Sequence, residues 1–194
     1  MKRTLFLVMV IALVSSIPAH AQPPGLFGVS GGATLGDLGL TTTTTDSRWG
    51  GTAGVFGAWR ASYNTIVTLE ANWVQKGGEG VGGQSVRLDY IDIPLTFGGS
   101  AAMGDQAWRG RLYVGVSLGV RVSCDSDVLG LNCDRANSTE WTFPIGGMLA
   151  KTSPDGRLVG VDVRYSIGSS DVFDTTRSKT RTWQFKLIVG IPRG

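Results

Sequence analysis

The sequence predicts an all-β fold, an eight-stranded antiparallel up-and-down transmembrane β-barrel of the outer-membrane type. Three observations point to it. Eight segments alternate apolar with polar or small residues at every second position, the side-chain period of a strand, which gives each a greasy face and a wet one. The connections between them measure 16, 5, 9, 12, 18, 6 and 13 residues, and the odd-numbered ones hold the Gly-, Thr- and Asp-rich stretches. Short turns at one end and longer loops at the other are the pattern of an outer-membrane barrel. The third observation is an export signal at the start of the chain.

Lys2 and Arg3 form a positive n-region, Leu5 to Val14 an apolar h-region, and Ala19-His20-Ala21 a small-x-small cleavage site. Residues 1–21 are therefore expected to be a signal peptide and 22–194 a single β-barrel domain. The apolar run is well short of the ~20 residues that cross a bilayer as a helix. No stretch of about 18 apolar residues follows it, which excludes a helical membrane protein. No lipobox cysteine follows the signal either. Without Lys2 and Arg3 the formal charge of +3 falls to +1, and no basic patch asks for nucleic acid.

The first strand is placed at 26–34 and leads into a loop with the polar tract Thr41 to Thr45. The second, 51–60, ends at a short turn, Ala61–Thr65. The third, 66–76, sets Val67, Leu69, Ala71 and Trp73 against Thr68, Glu70 and Asn72. The fourth, 86–97, contains Pro94 and is followed by Gly98–Arg109, a long connection for a periplasmic turn. The fifth, 110–122, sets Leu112, Val114, Val116, Leu118, Val120 and Val122 against Tyr113, Gly115, Ser117, Gly119 and Arg121. The sixth, 141–150, contains Pro144 and ends at Lys151–Gly156, where Ser153-Pro154-Asp155-Gly156 has turn chemistry. The seventh, 157–167, sets Val159, Val161, Val163, Tyr165 and Ile167 against Gly160, Asp162, Arg164 and Ser166. The eighth, 181–191, is the clearest, with Trp183, Phe185, Leu187, Val189 and Ile191 on one face.

In each strand the smaller or more polar set is expected inside and the apolar set in lipid. Aromatic residues near the strand ends form two expected girdles at headgroup level. Trp73, Trp141, Tyr165 and Trp183 belong to the outer one, and Trp59, Tyr63, Phe97 and Trp108 to the inner one. Proline cannot donate to a ladder and a closed barrel has no edge, so Pro94 and Pro144 are each expected at a bulge or a ladder gap.

The run Val67-Thr68-Leu69-Glu70-Ala71-Asn72-Trp73-Val74-Gln75-Lys76-Gly77, followed by Leu88-Asp89-Tyr90-Ile91-Asp92-Ile93-Pro94-Leu95, resembles the PorT-like outer-membrane protein beta-barrel domain family. Members show a strand ending in a Gln-Lys-Gly-like step, then a Tyr-x-x-x-Pro-Leu strand and glycine-punctuated strands after it. The resemblance spans nearly the whole mature chain. It implies an outer-membrane barrel of about eight strands, in a family most of whose members have no assigned activity. The C-terminus, Ile191-Pro192-Arg193-Gly194, departs from it by lacking the terminal aromatic residue of barrel insertion signals.

For catalysis an absence is informative. His20 is the only histidine and falls in the expected signal peptide, so histidine-dependent hydrolytic mechanisms are not open to the mature chain. Carboxylate chemistry at Glu70, Asp92 or Asp162 needs a pocket that a filled eight-stranded lumen seldom offers. The expectation is no enzyme, no cofactor and no metal site. Glu70, Asp92, Arg121, Asp162, Arg164 and Lys186 all fall on interior faces, and buried charges must be paired. They are expected to form an internal network, either a structural plug or a narrow ion path. Cys124 and Cys133 lie nine apart in the longest loop, which in an oxidising compartment reads as a disulfide. Gly78-Glu79-Gly80-Val81-Gly82-Gly83 has dinucleotide-fingerprint spacing but leads into a strand, so it is a loop.

The expected role is that of a non-enzymatic integral outer-membrane protein with a structural, adhesive or surface-recognition task. The chain would be a monomer in outer-membrane lipid, able to meet an extracellular partner through loops 35–50, 77–85, 123–140 and 168–180. The alternatives are a small gated or porin-like channel and a soluble, lipocalin-like binder of a small apolar ligand.

Overall fold

The fold was obtained as a computed structural model that describes residues 25–40, 46–79, 84–104, 107–126, 133, 137–169 and 178–192. The expected signal peptide, 1–21, lies outside these residues, as do the Thr41–Thr45 tract, Gly80 to Gly83 and the last two residues.

Eight strands close on themselves: β1 (Leu26–Leu40), β2 (Asp46–Arg60), β3 (Thr65–Glu79), β4 (Ser85–Met103), β5 (Trp108–Ser126), β6 (Thr139–Thr152), β7 (Leu158–Gly168) and β8 (Ser178–Pro192). Each pairs antiparallel with its sequence neighbour, and β1 pairs with β8 to complete the ring. Leu26 stands opposite both Ala58 and Pro192, so both ends of the barrel chain lie at one rim with the turns after β2, β4 and β6. That rim is the terminal end; the longer connections form the loop end.

All eight expected strands are present, and most extend further than the alternation suggests. β4 and β5 close most of the gap between Gly98 and Arg109 by pairing down to Met103 and Trp108, so the expected long connection is largely strand. At the loop end the ladders continue through parts of all four expected loops, as Leu40 with Ser178 and Val86 with Ser126 illustrate. Backbone pairing needs only a neighbouring strand, whereas alternation needs lipid on one side; beyond the bilayer both faces meet water and the pattern fades.

The wall is inside-out relative to a water-soluble barrel. Val29, Val55, Leu69, Ile93, Val116, Ile145, Val161 and Leu187, one from each strand, are exposed on the outer face. Ser30, Thr52, Glu70, Asp92, Ser117, Thr142, Asp162 and Lys186, again one from each strand, are buried inside. An apolar belt wrapped round a charged interior is stable only with hydrocarbon outside. This excludes the soluble lipocalin-like alternative.

Aromatic rings line the belt at both heights. Toward the loop end Trp183 lies 4.8 Å from Tyr165, ring centre to ring centre, with Trp49, Trp73 and Trp141 exposed at similar register. Toward the terminal end Phe27 meets Trp59 edge-on at 6.2 Å, and Tyr63, Phe97 and Trp108 are exposed.

Both prolines sit where a donor is not needed. The β3–β4 ladder breaks between Leu69–Leu95 and Asn72–Asp92, on either side of Pro94, without a change of register. The β5–β6 ladder breaks in the same way between Val114–Ile145 and Ser117–Thr142, around Pro144. A bulge lies in β5: Tyr90 pairs with Arg121 but Asp89 pairs with Ser123, leaving Val122 as the extra residue. Because strand faces alternate, one extra residue turns Cys124 to the same side as the buried Leu88.

Candidate functional site

The barrel axis holds nearly all the buried chemistry, in layers set by strand register. Nearest the terminal end Ala150, Leu158 and Ile188 form an apolar cluster, with Leu26, Phe56 and Met148 packed against it. These are the interior positions of strands whose wall there meets the turns, and they make that end of the lumen apolar.

Above this layer lies the first ionic cluster. Glu70 of β3 receives a short hydrogen bond from Arg164 of β7 and another, at 3.0 Å, from Lys186 of β8. Asn72 donates to the same carboxylate at 2.8 Å. Asp162 lies 3.4 Å from Lys186 and accepts the Tyr113 hydroxyl at 2.6 Å, while Arg164 Nε donates to that hydroxyl at 3.0 Å. Gly146 makes this possible: a Cβ there would lie 2.5 Å from the Tyr113 oxygen, so only a bare backbone lets the ring lie flat against β6. Arg111 completes the cluster, donating to Thr68 Oγ1 at 2.7 Å and the Ile66 carbonyl at 3.1 Å.

A second ionic cluster sits toward the loop end. Lys76 Nζ bridges Asp92 at 3.0 Å and Glu140 at 3.1 Å, and stands 4.6 Å from the centre of the Tyr90 ring. Thr180 donates a short hydrogen bond to Glu140. The apolar side chains of Val74, Val86 and Leu88, all fully buried, surround it.

Of the six charged residues expected in one network, Glu70, Asp162, Arg164 and Lys186 meet directly. Asp92 belongs to the second cluster. The Arg121 guanidinium donates to the Cys133 carbonyl at 3.0 Å and ties the loop to the wall. Lys76, Glu140 and Arg111 were missed as members. Arg111 and Lys76 share the interior parity of Tyr113 and Glu70, which was a usable signal. Glu140 fell in an expected loop because β6 begins two residues earlier than its alternation shows.

At the outer rim Cys124 and Cys133 are disulfide-bonded, with Cα atoms 5.8 Å apart. The bond and the Arg121 contact both hold Cys133, midway along the β5–β6 connection, to the end of β5. Among the described residues no group of three or more His, Cys, Asp or Glu side chains is placed to hold a metal ion.

No protein-family model matches the sequence, and no curated protein sequence matches it. Solved structures match in fold. The barrel is similar to the solution structure of Escherichia coli outer membrane protein W, with 14% identity and a TM-score of 0.50 over 89% of this chain and 99% of that chain. It is also similar to OprG of Pseudomonas aeruginosa, at 14% identity and a TM-score of 0.49 over 86% of this chain and 93% of that chain. Neisserial surface protein A matches at 12% identity and a TM-score of 0.49, over 84% of this chain and 96% of that chain. Outer membrane protein W shares the fold, and the exposed apolar belt of this chain is that of a membrane-spanning barrel.

Proposed function

We propose that this chain is a non-enzymatic outer-membrane barrel of the PorT-like kind, in which the wall and lumen are scaffold and the external loops carry the task of adhesion or surface recognition. The observation that carries this reading is a lumen occupied by side chains over most of its length. An apolar layer lies at the terminal end, and two sets of ion pairs with buried partners occupy the space above it. An interior of ~8 strands is wide enough only for its own side chains. The three carboxylates that could have served catalysis, Glu70, Asp92 and Asp162, are all held by cations. That supports a structural role for them.

Two measurements test this. Purified protein in planar bilayers is expected to give no unitary currents; steady current steps would replace this reading with the gated pore. Single cysteines placed in 41–45, 80–83, 127–132 and 170–177 should all react with a membrane-impermeant maleimide on intact cells, while one at Asn64 should not. Labelling of Asn64→Cys instead of the four loops would invert the orientation on which loop-borne recognition depends.

A further inference from the structure

We propose that the cavity beside Arg111 is a binding site for a small monovalent inorganic anion, with chloride as its occupant. The cavity measures about 70 Å³ and lies between the apolar layer and the first ionic cluster. Three cations border it, Arg111, Arg164 and Lys186, against two carboxylates, Glu70 and Asp162. The compartment therefore holds one positive charge more than its own residues neutralise.

The excess falls on Arg111. Arg164 and Lys186 share Glu70 and Asp162 between them, whereas no described carboxylate lies within 4.0 Å of Arg111. Its bonds go to neutral acceptors: Thr68 Oγ1, the Ile66 carbonyl and, at 3.4 Å, Thr96 Oγ1. The residue is only 6% exposed, and its Nε has no hydrogen-bond partner. Tyr113 does not supply the missing negative charge. Its hydroxyl donates to Asp162, so it is a neutral phenol, and its ring stands 5.1 Å from the Arg111 guanidinium and 5.2 Å from that of Arg164. An unpaired charge buried away from water is strongly disfavoured, and a counter-ion removes the imbalance.

The walls select the class of ion. Leu26, Phe56, Ile66, Met148 and Ile188 make the rest of the lining largely apolar, which suits a weakly hydrated monovalent anion and not a divalent one. A single water needs about 10–15 Å³ of such a cavity, so the space admits a halide together with waters.

The test is a chloride titration of the folded full-length mature barrel in micelles, against gluconate at constant ionic strength and pH. Chloride should raise the unfolding midpoint with the logarithmic dependence of a single site, the folded-to-unfolded ratio rising about tenfold at nine times Kd. Arg111→Gln should show no chloride dependence. Should that variant not fold, crystals of the unaltered protein grown in bromide decide the matter, with an anomalous peak expected in the cavity next to Arg111. Equal stability in chloride and gluconate, a chloride response that survives Arg111→Gln, or a cavity without anomalous signal would each overturn the proposal.

Discussion

Glu70 of β3 and Arg164 of β7 are ion-paired across the whole width of the lumen, from strands that stand opposite each other in the ring. Ninety-four residues of chain separate them. Together with Lys186 they form a strut between walls that no backbone ladder connects directly.

Removing one end of that strut leaves two buried cations competing for Asp162. Glu70→Gln should cost about 3–5 kcal/mol, the usual penalty for breaking a buried pair from one side. Asp155→Asn, which breaks the exposed pair with Arg157 in the turn after β6, should cost under about 1 kcal/mol. Urea unfolding in micelles, followed by tryptophan fluorescence, compares the two. Equal midpoints would mean the strut does not hold the wall.

Gly168 sets the room available to the second cluster. A Cβ there would lie 2.6 Å from Glu140 Oε1 and 2.8 Å from Thr180 Oγ1. Gly168→Val should push the Glu140 carboxylate off Lys76 and destabilise the barrel by about 1–3 kcal/mol, as overpacking does. Gly99, where an added Cβ meets nothing within 4 Å, provides the control: Gly99→Ala should leave the unfolding midpoint within error.

The lipid belt predicts a depth dependence along β5. Val116 and Val122 are both exposed on the barrel wall, but Val116 lies mid-strand and Val122 at the bulge, beyond the outer aromatic residues. Val116→Arg should cost about 2–4 kcal/mol and Val122→Arg about 0–1, since the penalty falls toward the interface. Refolding yields into lipid vesicles, scored by heat-modifiable gel mobility, should rank them in that order. Similar yields would argue against hydrocarbon around the middle of β5.

The disulfide should act on the loop and not on the barrel. Closing so short a segment restricts the open form by about 3 kcal/mol in the chain-entropy account. Replacing Cys124 and Cys133 by Ser should speed proteolysis between 127 and 136 on intact cells while heat-modifiable mobility is retained. Loss of the folded band would place the bond in the barrel's own stability instead.

Much of this architecture is written locally. Strand number, the inner and outer faces, the two girdles, the proline gaps and the disulfide were all legible, because period-two alternation, ring chemistry, a missing N–H and paired cysteines are properties of short segments. The ends of the strands were not, since pairing continues past the lipid where alternation stops; Glu140 was hidden for that reason. Which charge meets which was also beyond the sequence. Glu70 finds Arg164, and Lys76 finds Glu140, only after eight strands close and fix their registers, and the extra residue at Val122 decides where Cys124 points. The chain by itself determined that lipid lies outside and charge inside, because that follows from side-chain period. Closure decided how those charges are shared, because partners on opposite walls become neighbours only across a finished ring.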